Sequence, residues 1–289
     1  MVEPLIRAGM KVNFSWLSDE ERTTIGGSID DYFKKFIKAK SIEGLAPKTL
    51  AGYDHMYAHL KKSLQVGRRA NTLKLADFEE FKLYLVDLGR AAATVNRRCR
   101  EFSVFLGYLY DHEIIRRRFK VKRTKEIEKI NYIGEGGLRR IQQHIPIWMR
   151  PIIQFYSETG MRLMEPFHSV LFGKTLVVPS SKSKNRFVRE VELNNDQVLV
   201  WKFLMTLPYK PQHYSRAFKS ASRAAGLGEN KFHNLRHFCG ARLYAAHRDI
   251  QLIKLRLGHS SLSTTEKYQK FSLAQLKSAF PMAYESYNR

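Results

Sequence analysis

The sequence predicts a mainly α protein: an all-helical N-terminal domain, then a mainly helical second domain with a small antiparallel β-sheet. Three observations carry that prediction. Apolar residues recur at i, i+3, i+4 and i+7 through residues 28–115, the one-face pattern of amphipathic helices. Seven of the ten residues at 116–125 are Lys or Arg and none is acidic, which interrupts that pattern. Beyond the run, residues 174–179 and 186–193 read as strands joined by a polar loop, and helical segments surround them. A length of 289 residues suits two domains of ~100–200 residues. The 12% of aromatic residues can bury enough surface to set the chain apart from a disordered tail.

Residues 1–27 show no periodicity and read as an arm or extension. Ser28 with Asp31 forms a capping signature for a helix whose apolar face is Ile29, Tyr32, Phe33, Phe36 and Ile37. A second helix follows Pro47, with Leu50, Tyr53, Tyr57 and Leu60 on one face. A third carries Phe78, Phe81, Leu85 and Leu88 and ends at Gly89. A fourth carries Val95, Cys99, Phe102, Leu106 and Leu109, and its polar face presents Asn96, Arg97, Arg98 and Arg100. These define a first domain over 28–115 and a basic linker over 116–130. Residues 131–271 form the second domain, with helices expected over 138–144 and 148–159, the latter stopped by Gly160. Ser263 with Glu266 predicts a helix start that places Tyr268 in its second turn. Ser272 with Gln275 opens a tail helix within 272–289, with Leu273, Leu276 and Phe280 on one face.

Charge narrows the partner. Fifty Lys+Arg against 27 Asp+Glu give a net charge of +23, which favours a polyanion such as DNA, RNA or an anionic membrane. No run approaches the ~20 apolar residues a membrane span needs. The N-terminus lacks an apolar core with a cleavage site, so the protein is expected to stay inside the cell. Cys99 and Cys239 are isolated thiols, expected in the cores, and make neither a disulfide framework nor a metal cluster. Basic residues at Arg97, Arg98, Arg100, Arg116, Arg117, Arg118, Lys120, Lys122 and Arg123 are candidates for phosphate contact.

Four stretches of the second half hold the reactive residue types: TGMRLMEP (159–166), PSSKSKNR (179–186), HNLRHFCGARL (233–243) and LGHSSLSTTEKYQK (257–270). Singly each is unremarkable: a lysine in a polar loop is usually solvated, and a tyrosine on an amphipathic helix is usually core. Together they supply what reaction at a phosphodiester requires. Arginine forks match phosphate oxygens, a lysine can donate a proton, histidine exchanges protons near neutrality, and a tyrosine offers a nucleophilic phenol.

In this order the residues resemble the tyrosine recombinases, the phage-integrase-type site-specific recombinases. The resemblance rests on Thr159-Gly160-Met161-Arg162 with Glu165, on Lys182, on His233-Asn234-Leu235-Arg236, on Leu257-Gly258-His259, and on Tyr268 nine residues after His259. Residues 46–53 and 93–109 resemble parts of that family's core-binding domain. The resemblance implies that residues 131–271 are the catalytic domain. It implies that Tyr268 attacks the scissile phosphate to form a 3′-phosphotyrosyl bond, and that Arg162 and Arg236 clamp the non-bridging oxygens. Lys182 would protonate the leaving 5′-oxygen, His233 would assist the tyrosine as acid/base partner, His259 would bind the phosphate or its clamp, and Glu165 would support the site. Double-stranded DNA as partner, a tetramer on DNA formed from monomers in free solution, no metal or other cofactor, and a cytoplasmic, nucleoid-associated location follow from the same resemblance. A mobile-element integrase of a plasmid or virus fits it.

Pro166 departs from the family's aliphatic residue, and the interval from Arg162 to His233 is short. Lys184 rivals Lys182. The tail helix either packs on its own domain or docks on a neighbouring protomer. A type IB topoisomerase-like or DNA-resolving enzyme of the same chemistry, a non-catalytic DNA-binding regulator and an RNA-binding protein remain the alternative readings. The last two leave the ordered arginine, lysine, histidine and tyrosine set without a purpose.

Overall fold

The computed structural model describes residues 27–119, 122–126, 132–180, 188–258 and 263–287. The chain divides into two compact units, Met1–Glu128 and Lys129–Arg289. Among the described residues no helix is long and apolar enough to cross a membrane.

In the first unit, α1 (Ile29–Ile42), α2 (Pro47–Ser63) and α3 (Leu75–Asp87) each lie against α4 (Ala92–Asp111). The start of α1 is capped reciprocally. Ser28 Oγ accepts the Asp31 N–H at 3.1 Å, and the Asp31 carboxylate accepts the Ser28 N–H at 3.1 Å. The core is aromatic: Phe33 stacks on Tyr57 with centroids 3.8 Å apart, and Phe78 and Phe81 both meet Phe102 edge-on. Three expectations need correction. Leu88 caps the C-terminus of α3 and is exposed, because the chain turns away at Gly89. Cys99 is only half-buried, while Cys239 is buried. Asn96 is buried rather than presented to solvent: its side chain donates to the Thr124 carbonyl at 2.8 Å and to the Glu126 carboxylate at 2.6 Å, and it accepts the Thr124 N–H at 2.8 Å. Residues 122–126 are thereby tied to the first unit.

The second unit runs α5 (Glu135–Gln143), α6 (Arg150–Thr159), β1 (Val170–Phe172), β2 (Thr175–Val178), β3 (Arg189–Glu192), α7 (Asn195–Thr206), α8 (Pro211–Ala224), α9 (Asn234–His247), α10 (Ile250–Leu257), α11 (Ser263–Glu266), α12 (Leu273–Ala279) and α13 (Pro281–Tyr287). The sheet is antiparallel in the order β1-β2-β3, with Leu176 opposite Val191 and Val178 opposite Arg189. β1 adds a strand to the expected pair. Its three residues, with Val170 and Phe172 exposed, are too few to show an alternation.

Helix α9 is the axis of this unit. It contacts α6, α10, α12, α13 and a 3-10 turn at Lys267–Lys270. Tyr268 therefore sits in that 3-10 turn, after a four-residue α11, rather than in the second turn of a longer helix. The tail lies on α9 of its own chain. Leu276 and Phe280 are buried, Phe280 against Phe238, whereas Leu273 is exposed. Arg248 ends α9 in a left-handed conformation, with its guanidinium over the rings of Tyr244, Tyr284 and Tyr287.

Candidate active site

Two helix C-termini meet at the site. α6 ends at Gly160 with φ +61, and α10 ends at Gly258 with φ +62. Glycine is required twice over at each. Left-handed backbone penalises a Cβ, and a Cβ at Gly160 would crowd Leu257 and Cys239, while one at Gly258 would reach 2.8 Å from Arg189 Cδ.

Two arginines tie these termini together. Arg236, in the first turn of α9, donates from Nη1 to the Gly160 carbonyl at 2.7 Å and from Nη2 to the Leu257 carbonyl. Arg189, on β3, donates from Nη2 to the Thr159 carbonyl at 3.3 Å and to the Arg256 carbonyl at 2.8 Å. Each guanidinium thus satisfies carbonyls left open at both helix ends, where the helix dipoles present negative charge.

Glu165 organises the third arginine. Its carboxylate accepts Arg162 Nη1 at 2.5 Å and the Arg162 N–H at 2.8 Å, and it also binds Arg189 Nη1. Burial opposes ionisation of Glu165, yet Arg189 and the charge and hydrogen bonds of Arg162 together hold its carboxyl below the usual range. Burial likewise lowers Arg236 to about 9, helped by the positive charges of Arg189 and Arg162. Among the described residues, three guanidiniums and one carboxylate share this buried cluster.

Tyr268 is 1% exposed. Its ring rests on Gly240 of α9, where any Cβ would overlap it. Its hydroxyl lies 3.3 Å from His237 Nδ1. Burial raises the phenol's pKa and the charge of Arg236 counteracts it. His237 Nδ1 also lies 3.1 Å from Lys267 Nζ. Burial lowers His237 to about 3, assisted by the charges of Lys267, His233 and Arg236, so its ring is neutral near pH 7.

The structure brings Arg162, Glu165, Arg236 and Tyr268 into one electrostatically coupled site. His233 stands at the N-cap of α9, with its ring 5.0 Å from that of His237. The histidine within reach of the tyrosine hydroxyl is His237, one turn before Gly240 on the same face of the helix, while His233 lies on that face two turns before Gly240. Lys182, its rival Lys184, and His259 lie outside the described residues. Arg189 was missed by motif reading. Its signal is the alternation Arg189-Glu190-Val191-Glu192, which puts a charged residue on the buried face of a strand.

Of the basic candidates, Arg98 is engaged internally: it pairs with Glu101 at 2.5 Å and donates to the Gly52 carbonyl at 2.9 Å. Glu101, one helical turn on, also pairs with Arg97 at 3.0 Å. Arg118 pairs with Asp111. Arg100, Arg116, Arg117, Lys122 and Arg123 are exposed, and Lys120 lies outside the described residues.

The chain is similar to known proteins over most of its length. The tyrosine recombinase XerD of Agrobacterium fabrum is 24% identical over 299 residues, covering 81% of this chain and 88% of the relative. A lambda integrase dimer bound to a COC′ core site superposes with a TM-score of 0.73 at 17% identity, over 92% of this chain and 84% of that one. A lambda integrase tetramer bound to a Holliday junction gives 0.69 at 18% identity, over 89% and 85%. These similarities show a shared fold. The model of the phage integrase family matches residues 121–273, just over half of the 289, and on that match the chain belongs to the phage integrase family, the tyrosine recombinases.

Proposed function

We propose that this protein is a site-specific DNA recombinase that cleaves and rejoins strands through a covalent bond between Tyr268 and a DNA 3′-phosphate. One observation carries the reading: Arg162 and Arg189 bind the carboxylate of Glu165, and Arg236 acts electrostatically on that carboxylate and on the phenol of Tyr268. Three guanidiniums against one carboxylate leave an excess of positive charge that an incoming anion stabilises, and a phosphodiester supplies one next to a nucleophile.

In this reading the Tyr268 hydroxyl attacks phosphorus, its proton passes to His233 as acid/base partner, and the P–O5′ bond breaks. Arg162 and Arg236 stabilise the charge that builds on the non-bridging oxygens. Each terminal nitrogen of a guanidinium carries two hydrogens, so Arg236 can bind the helix carbonyls and still face a phosphate. Lys182, with Lys184 as its rival, protonates the leaving 5′-oxygen, and His259 braces the phosphate. Rejoining reverses the steps with the hydroxyl of a partner strand, and the phosphotyrosyl bond conserves the energy of the bond it replaces.

The first unit serves as the core-binding domain, with Arg100, Arg116, Arg117, Lys122 and Arg123 on the phosphate backbone, and the second as the catalytic domain. Four copies act together on DNA at the nucleoid. The test uses a duplex library with a randomised centre and a single nick, which traps a cleaving enzyme covalently. The wild type should yield a protein–DNA adduct on a denaturing gel and Tyr268→Phe none. An undiminished adduct from Tyr268→Phe would refute the reading.

A further inference from the structure

The motif residues account for the phosphate clamp but not for what holds the nucleophile. His233, the histidine of the motif, is one helical turn away from the residue that meets the Tyr268 hydroxyl. That residue is His237, which the proposed chemistry leaves unassigned. Its Nδ1 faces two donors, the Tyr268 hydroxyl at 3.3 Å and Lys267 Nζ at 3.1 Å. An ammonium has no acceptor to offer. Nδ1 must therefore carry the lone pair, and the ring proton must sit on Nε2. Gly240, on the same face of α9, admits the tyrosine ring by having no side chain.

We infer that His237 is a positioning residue for the nucleophile: its Nδ1 lone pair accepts the Tyr268 hydroxyl and seats the phenol over Gly240 beside Arg236, with Lys267 as a second donor to the same lone pair. This rests on the reading of Tyr268 as the nucleophile. The charged and titratable groups facing the imidazole are His233 and Arg236 from its own helix and Lys267 and Tyr268 from the 3-10 turn. Three of these can carry positive charge, and they disfavour an imidazolium among them. The ring consequently stays an acceptor across the neutral pH range. The lone pair cannot serve both donors fully at once. When Lys267 takes it, the Tyr268 hydroxyl is released toward an incoming phosphate, its proton passes to His233 as in the proposed chemistry, and the charge of Arg236 favours the oxygen that loses it.

The experiment separates an acceptor from a mere space-filler. His237→Asn places a carbonyl oxygen where Nδ1 stood, while His237→Leu fills the volume without an acceptor. Adduct formation is timed on sequences that the wild type captures from the nicked randomised library. His237→Asn should stay within a few-fold of wild type. His237→Leu should slow by about 10–100-fold, the scale set by a nucleophile misplaced by about 1 Å. The same duplexes are then made with a 5′-bridging phosphorothiolate, whose sulfur leaves without protonation. The His237→Leu defect should persist on it, because the defect lies on the nucleophile's side of phosphorus. Wild-type rates in His237→Leu, an equal loss in His237→Asn, or rescue by the phosphorothiolate would each overturn the assignment. A wild type that forms no adduct would instead remove the recombinase reading itself. In the DNA-free protein, the ¹⁵N resonance of His237 Nδ1 should report an unprotonated nitrogen at pH 7 and shift in Tyr268→Phe; a protonated Nδ1 would overturn the assignment as well.

Discussion

Gly240 offers the most exacting test of where the tyrosine rests. A Cβ there would stand 2.5 Å from Tyr268 Oη and 2.8 Å from its Cε2, closer than real Cβ contacts come. In Gly240→Ala two effects oppose each other. Alanine in a helix interior is favoured over glycine by up to about 1 kcal/mol. Overpacking a filled core costs about 1–3 kcal/mol, and expelling the ring instead forfeits a burial of about 1.5–3 kcal/mol. Steric cost exceeds propensity, so the variant should be destabilised by about 1–2 kcal/mol. Its rate of adduct formation should fall further, toward 10²-fold, since the displaced atom is the nucleophile. Urea unfolding followed by the fluorescence of Trp148 and Trp201, both in the second unit, measures the first effect. Gly136→Ala in α5 of the same unit is the control: nothing stands within 4 Å of its added Cβ, so it should gain up to about 1 kcal/mol and leave cleavage intact. If Gly240→Ala were as stable as Gly136→Ala and cleaved at the wild-type rate, Tyr268 would not rest against α9.

Other outcomes follow from the charge cluster. Glu165→Gln leaves Arg162 and Arg189 without their counter-ion and should cost about 3–5 kcal/mol in the same urea assay; a loss under 1 kcal/mol would refute the pairing. The Glu165 carboxyl is held low in the fold, so its contribution is complete above the unfolded value of about 4.3 and is lost as pH falls through the folded one. Glu165→Gln should flatten that acid limb. His237 acts in the same sense, over a higher pH range. Its folded value of about 3 lies below the free 6.5, so the unfolded chain takes up a proton first and stability falls as pH drops from 6.5. By pH 5 the loss should reach about 2 kcal/mol at 1.36 kcal/mol per unit, and His237→Leu should abolish it. Cys239, pushed up to about 11 by burial, should resist iodoacetamide in the native protein and react on unfolding.

Local signals carried much of the fold. The reciprocal cap at Ser28 and Asp31, the aromatic faces of the first four helices and the glycine stop at Gly160 each depend on neighbours within a few residues, so the sequence displays them directly. β1 was hidden because three residues leave no period to detect. Asn96 was misplaced because its partners, Thr124 and Glu126, lie about thirty positions away. The same distance effect divides the site. Arg162, Glu165, Arg236 and Tyr268 stand in recognisable local motifs. Arg189 acts through carbonyls contributed by α6 and α10, and His237 through a tyrosine 31 residues on. Neither role exists until the chain has folded.

The most direct test of the central claim is the chemical identity of the trapped bond. The adduct with a nicked duplex captured from the randomised library is digested with protease and nuclease and read by tandem mass spectrometry. The adduct should hold a nucleotide joined through its 3′-phosphate to Tyr268, with a free 5′-hydroxyl on the released strand. A linkage to any other residue, or to a 5′-phosphate, would contradict that claim.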